Sequence, residues 1–166
     1  MYQIGDQVVY GIHGVCCILE LEERNVERKK IRYFVLEPVD QPGTRYYVPA
    51  ENPAALGKLR RLMSRAELEE IIACAKVRES CWIADENKRK QCYRELICSG
   101  DCVALLRMIN TLHIHKKEQI AAGRKLHMCD ENFLRDAEKL INAEFSAVLD
   151  IQASAVESYF LNMFDR

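Results

Sequence analysis

The stretch GDQVVYGIHGVCCI, residues 5–18, holds the pattern that decides the fold of the N-terminal part of this chain. Two runs of β-branched and aromatic residues, QVVY and GVCCI, flank a turn rich in glycine. Successive side chains of a strand point to opposite faces, so Cys16 and Cys17 cannot easily bind one metal ion together. We expect one cysteine in the core, the other at the surface, and His13 in the turn rather than as a ligand.

The next thirty residues continue the strand pattern. The runs KIRYFVLEP and TRYYVP are separated by short polar loops and bring the total to four or five short strands in the first 50 residues. No segment between them is long enough for a helical crossover, so the strands are expected to be antiparallel. This part of the sequence predicts a small β barrel or a strongly curved sheet.

The periodicity becomes helical at Ser64, where S-R-A-E matches a capping box formed by Ser64 and Glu67. Aspartates and glycines at helix-boundary positions mark the following helices. The sequence therefore predicts an α+β chain with two domains, residues 1–57 and 58–166, the second a compact bundle of about five helices. The later helices are predicted from Asp85 to Ser99, from Asp101 to Ala121 or Ala122, from Asp130 onward, and from Ser154 to about Phe164.

Composition narrows the range of functions. The chain has 166 residues, with 49% hydrophobic and 30% charged residues, and no run of about 20 apolar residues that could span a bilayer. Its N-terminus lacks the features of a signal peptide, so we expect a cytoplasmic protein whose eight cysteines are reduced thiols. The segment 86–125 has nine basic and four acidic residues, which indicates either a polyanion-binding face or a solvated helix surface.

Catalytic and metal-binding motifs are not evident. The sequence has no C-x-x-C pair, phosphate loop, G-x-S-x-G or H-E-x-x-H motif. Thiol catalysis by Cys17 with His13 remains a formal alternative, but it needs a lowered thiol pKa that no neighbouring residue visibly supplies. We therefore expect no catalytic residue, no metal, no cofactor, no small-molecule substrate and no membrane partner.

An ordered series of motifs resembles the CarD/CdnL family of bacterial RNA polymerase-binding transcription regulators. The series consists of GDQVVYGIHGVCCI, RYFVLEP, YYVPAEN with LRRLMS, and RELICSGD. The resemblance covers nearly the whole chain and implies a Tudor-like N-terminal β module that binds the polymerase β subunit. It also implies a helical domain that contacts promoter DNA at the upstream edge of the transcription bubble, and no enzymatic activity.

The resemblance assigns polymerase contacts to the β module. Arg24 lies where the family places a basic residue, and its planar guanidinium suits a carboxylate on a protein partner. Tyr47 stands where some members have arginine, so a contact there would be aromatic rather than ionic. The segment IRYFVL is expected to be an edge strand that pairs with a partner strand. The full predicted polymerase-binding set is Arg24, Tyr33, Val35, Arg45, Tyr47 and Pro49.

The resemblance also implies DNA contacts in the helical domain. Trp82 precedes a basic segment and is predicted either to wedge into the minor groove or to pack between helices. About four more residues separate it from the SGD motif than in the actinobacterial members of the family. The basic residues are expected to bind the DNA backbone with little dependence on base sequence. The predicted DNA-binding set is Trp82, Lys88, Arg89, Lys90, Lys116, Lys117, Arg124 and Lys125.

The sequence thus predicts a non-enzymatic regulator that binds RNA polymerase and promoter DNA and changes the stability of the open complex. Such a protein would be associated with the nucleoid through polymerase. The alternative is a scaffold whose helical domain binds another protein, with its basic residues solvated.

Overall fold

The computed structural model of the chain describes residues 2–76, 82–152, 154–156 and 158–159. The chain divides into two compact units, Met1–Met63 and Ser64–Arg166. The first, the sheet unit, is built on β-strands and the second, the helical unit, on helices, which confirms the predicted α+β fold. The division follows Met63, not residue 57 as predicted from the sequence, since one more strand of the sheet lies between these positions.

Within the described residues, the sheet unit holds a five-stranded antiparallel sheet in the spatial order β4-β3-β2-β1-β5. The sheet is open, with β4 and β5 at its edges, and does not close into a barrel. A one-turn helix between β4 and β5 is capped by the Asn52 side chain. The elements are β1 (Gln7–Tyr10), β2 (Val15–Val26), β3 (Lys29–Pro38), β4 (Tyr46–Pro49), α1 (Pro53–Leu56) and β5 (Leu59–Arg61).

The prediction that IRYFVL forms an edge strand is wrong. These residues lie in β3, which pairs with β2 along its whole length and with β4 over Tyr33–Leu36. The short strand β4 is the edge on this side because TRYYVP returns alongside β3 after the loop that follows Pro38.

A bulge in β2 changes which side chains face the core. Ile18 lies opposite Leu36 and Glu20 lies opposite Val35, so Leu19 has no opposing residue in β3. An extra residue of this kind shifts the numbering by one, so the core side of the strand is taken by even-numbered residues before the bulge and by odd-numbered residues after it.

The core of the sheet unit confirms the reading of the two adjacent cysteines. Cys16 is completely buried and Cys17, on the other side of β2, is partly exposed. His13 ends a short 3-10 helix, Gly11–His13, and its ring packs against Tyr46 with the ring centroids 4.2 Å apart. The buried core residues are Val8, Cys16, Ile18, Leu36, Val48 and Leu59.

The helical unit begins with the predicted capping box. The Ser64 amide donates to Glu67 Oε2 at 2.7 Å and the Glu67 amide donates to Ser64 Oγ at 3.3 Å. Asp85 and Asp101 also cap helices as predicted, and Gly100 takes the left-handed conformation with φ 65° between these two helices. The helices are α2 (Arg65–Lys76), α3 (Glu86–Ser99), α4 (Cys102–Ala121) and α5 (Met128–Leu149).

The start of α5 differs from the prediction. The cap residue is His127, whose ring Nδ1 accepts a hydrogen bond from the Cys129 amide at 3.3 Å. Asp130, predicted to be the cap, lies one turn inside the helix and is buried. Its carboxylate has a different partner, described below.

The predicted helix from Ser154 to about Phe164 falls largely outside the described residues. In the part of the chain that the structure describes, no helix is both long and apolar enough to cross a membrane.

Candidate functional site

The register of β2, β3 and β4 places the predicted polymerase-binding residues on one face of the sheet. Tyr33 lies opposite Glu22 on one side and Pro49 on the other, and Tyr47 lies opposite Val35. Directly opposite residues of antiparallel strands share a face. This face points away from the core, and we call its exposed part the docking face: Glu20, Glu22, Arg24, Tyr33, Arg45, Tyr47 and Pro49.

The bulge at Leu19 is the reason that Arg24 belongs to this face. If β2 ran through Leu19 in regular alternation, with no bulge, Glu20, Glu22 and Arg24 would face inward like Cys16 and Ile18. The sequence analysis missed both glutamates, since nothing in the local pattern ILELEER marks a bulge.

An arginine–tyrosine stack forms the centre of the docking face. The guanidinium carbon of Arg24 lies 3.8 Å from the centroid of the Tyr47 ring. The Tyr47 and Tyr33 rings form a T-shaped pair with their centroids 6.5 Å apart. Arg24 Nε and Nη2 donate to the Glu22 carboxylate at 2.9 and 3.2 Å, and this hydrogen bonding raises the pKa of Arg24. Glu22 thus helps to hold the guanidinium over the Tyr47 ring.

The remaining predicted residues of the sheet unit differ in their exposure. Arg45 is exposed and its Nη1 lies 3.4 Å from Glu20 Oε1, which adds a second mixed-charge pair to the docking face. Pro49 is partly exposed at the end of β4. Val35 is 0% exposed, so its side chain cannot reach a partner, and this corrects its assignment as a contact.

The predicted DNA-binding residues come together at one end of the helical unit. Asp130 in the first turn of α5 contacts Arg89 of α3, and Glu131 beside it lies 3.7 Å from Lys116 of α4. The start of α3, the last turns of α4, the loop 122–127 and the start of α5 are therefore neighbours. We call this region the basic end, with the cations Lys88, Lys90, Lys116, Lys117, Arg124 and Lys125.

Four cations of the basic end are exposed without an ion-pair partner among the described residues, namely Lys88, Lys117, Arg124 and Lys125. The other two are engaged. Lys90 pairs with Glu86, which raises the pKa of Lys90 and lowers that of Glu86, and Lys116 pairs with Glu131. The positive potential of this end therefore comes mainly from the four exposed side chains.

Arg89 is not part of this exposed set. It is 5% exposed, and its Nε and Nη2 donate to the two oxygens of Asp130 at 2.9 and 3.0 Å. Its Nη1 donates to the Ile83 carbonyl at 2.8 Å, and the bond to Asp130 raises the pKa of Arg89. Arg89 is a structural residue that joins α3 to α5, which corrects its assignment as a phosphate contact.

Trp82 is partly buried and packed. Its ring stacks on His115 of α4 with 3.5 Å between centroids and an interplanar angle of 19°. The Arg89 guanidinium lies 4.3 Å from the centroid of the same indole. Of the two roles predicted for Trp82, packing between helices has these contacts, and insertion into DNA would first have to break them.

The alternative of thiol catalysis concerned Cys17 with His13, and the His13 ring packs against Tyr10 and Tyr46. The neighbouring Cys16 is completely buried. Burial raises the pKa of this thiol to about 11, so it stays protonated and unreactive at neutral pH. Among the residues that the structure describes, no group of three or more His, Cys, Asp or Glu side chains is placed to hold a metal ion.

The sheet unit has a recognisable family signature. The sequence model described as the CarD-like/TRCF RID domain matches residues 2–63, the same residues that form the compact sheet unit. Residues 2–63 are therefore a CarD-like/TRCF RNA polymerase-interacting domain, and RNA polymerase is the partner that this part of the chain indicates.

Proposed function

We propose that the docking face binds the β subunit of RNA polymerase and that the basic end then contacts promoter DNA at the upstream edge of the transcription bubble. The chain would act without catalysis, by changing the stability of the open complex, and would be associated with the nucleoid through polymerase. The observation that carries the proposal is the Arg24–Tyr47 stack, which lies on an exposed sheet face inside the matched domain.

The docking face has the composition of a protein interface. Tyrosine and arginine are the side chains most enriched where protein surfaces meet, and the stack presents both in a fixed geometry. The four charges of Glu20, Glu22, Arg24 and Arg45 neutralise one another in pairs. The partner therefore needs no large net charge opposite this face, and the tyrosines can supply most of the contact area.

A matched pair of arginine variants tests the docking face. Arg24 and Arg32 are both exposed and each pairs with one glutamate, at 2.9 Å to Glu22 and 2.7 Å to Glu51. They lie on opposite faces of the sheet, since Arg32 shares its face with Phe34 and the core. We expect Arg24→Ala to weaken binding of the purified β subunit by about tenfold or more and Arg32→Ala by less than about twofold. Equal effects of the two variants would rule out this face.

Support for the DNA contact comes from the basic end. Four exposed cations at neighbouring positions suit the phosphate backbone, so we expect binding to depend on salt concentration more than on base sequence. Affinity for free DNA need not be high. Attachment to polymerase raises the effective concentration of the helical unit beside the promoter.

The test of the DNA contact is the lifetime of the open complex, measured with polymerase, a promoter fragment and the full chain. The variant Lys88→Gln/Lys117→Gln/Arg124→Gln/Lys125→Gln is expected to bring the lifetime back to its value without the protein while binding to polymerase is unchanged. Lys139→Gln is the control, because this exposed residue lies about three turns from the start of α5. A fourfold variant that behaves as wild type would instead favour a scaffold that binds another protein.

A further inference from the structure

We propose that Met128 is the side chain that enters the DNA, at the step where the basic end meets the edge of the bubble. The inference rests on the proposed DNA contact and names the residue that makes its apolar part. Met128 is 76% exposed, the highest value among the exposed large hydrophobic side chains of the described residues. An apolar side chain exposed to this extent can meet a partner with little loss of contacts within the protein.

The surroundings of Met128 indicate a polyanion as that partner. It is the first residue of α5 and directly follows the cap residue His127. Arg124 and Lys125, two of the four exposed cations without an ion-pair partner among the described residues, precede it by four and three residues in the loop 122–127. The two acidic residues of its own helical turn are both in ion pairs. The charge without an ion-pair partner beside Met128 is therefore positive.

The direction of α5 adds to this charge. The positive end of a helix dipole is its N-terminus, where Met128 lies. Ile120, also well exposed at 61%, is in the last turn of α4, at the negative end of that helix. Of the two apolar side chains at the basic end, Met128 has the electrostatic surroundings that favour phosphates.

Trp82 is the competing candidate, and its contacts count against it. Insertion would require the indole to leave the His115 ring, 3.5 Å away, and the guanidinium of Arg89, which Asp130 holds in place. Met128, 76% exposed, loses far fewer contacts on insertion. Its unbranched, flexible thioether can also adapt to a partly opened base step, the kind of site into which architectural proteins insert methionine and other apolar residues.

The experiment uses the full chain, polymerase and a promoter with 2-aminopurine at the upstream edge of the bubble. Fluorescence reports base unstacking, and the open-complex lifetime is measured in the same sample. We expect Met128→Ala to remove most of the fluorescence increase and to shorten the lifetime by at least about threefold. Met128→Leu, which keeps an apolar side chain of similar volume, should retain both.

Two controls separate the outcomes. Ile120→Ala removes an exposed apolar side chain from the last turn of α4 and should give the same fluorescence and open-complex lifetime as wild type. Thermal unfolding should be the same for all three variants because both positions are exposed. If Met128→Ala leaves the signal intact while folded Trp82→Phe removes it, Trp82 is the inserted residue and the inference is overturned. If the wild-type protein itself changes neither signal, the proposed function fails, and with it the reason for asking about Met128.

Discussion

Arg89 and Asp130 form a buried, two-bond ion pair that joins α3 to α5 across 41 residues of chain, with donor–acceptor distances of 2.9 and 3.0 Å. The pair also fixes the packing partner of Trp82, since the Arg89 guanidinium lies against the indole. The basic end is thus organised around a cation that is almost completely buried.

Removing one partner of this pair should be strongly destabilising. Asp130→Ala leaves the Arg89 charge buried without a carboxylate, and we expect the free energy of unfolding to fall by about 3–5 kcal/mol in urea titrations. Arg65→Ala, which breaks the exposed pair with Glu69, should cost less than about 1 kcal/mol. The double variant Arg89→Met/Asp130→Leu should recover much of the loss, and a double variant no better than Asp130→Ala would contradict this account.

Tyr93→Phe should leave stability unchanged or improve it by up to about 1 kcal/mol. The Tyr93 hydroxyl is buried and has no hydrogen-bond partner among the described residues, and burial raises its pKa to about 12. The substitution removes this unpaired oxygen and keeps the ring, which packs edge-on against Phe133. Urea unfolding measures the change. A loss above about 1 kcal/mol would mean that the hydroxyl is hydrogen-bonded in solution.

Stability should fall at alkaline pH in a way that depends on Cys16. Burial raises the pKa of this thiol from its ordinary 9.0 to about 11, so the folded state holds the proton more tightly than the unfolded chain does. The protonated thiol therefore contributes about 2–3 kcal/mol to the free energy of unfolding below pH 9. This stability is lost as the pH rises from 9 to about 11.

Comparison of wild type with Cys16→Ala isolates this effect, because every other titrating group is present in both proteins. The difference between their unfolding free energies should shrink between pH 8 and pH 11. A difference that stays constant over this interval would show that the thiol titrates normally in the folded state.

A change of sequence in the turn between β2 and β3 should make the protein more stable. Glu27 and Arg28 both have positive φ, 49° and 67°, at the two-residue tip of the hairpin, where Asn-Gly is the preferred sequence. We expect Glu27→Asn/Arg28→Gly to raise the unfolding free energy by about 1 kcal/mol in thermal or urea unfolding. Glu27→Ala/Arg28→Ala removes the same charges but keeps side chains that disfavour positive φ, so it should not raise the unfolding free energy. Equal increases in the two double variants would mean that charge, rather than backbone conformation, limits stability at this turn.

The accuracy of the sequence-based predictions depended on the range of the interactions involved. The caps Ser64, Asp85 and Asp101 each act on an amide three residues ahead, so the local sequence contains the whole interaction. The strand alternation that separates Cys16 from Cys17 is equally local. Such features were predicted because no distant residue takes part in them.

The errors came from interactions between distant segments. Asp130 has the type and position expected of a helix cap, and only the fold reveals that Arg89, 41 residues earlier, is its partner. The interior position of β3 depends on where β4 returns, and the burial of Val35 depends on its neighbours in two strands. None of this is visible in the sequence near those residues.

Leu19 is an extra residue that the two faces of β2 do not need. Deleting it would make Glu20 follow Ile18 in regular alternation, so the two glutamates and the arginine would still face outward and the leucine at position 21 inward. An additional residue elsewhere in the strand would, in contrast, need a bulge of its own to keep these faces. Homologues that lack a residue at this position should therefore present the same side chains to polymerase, from a strand without the bend and added twist of a bulge.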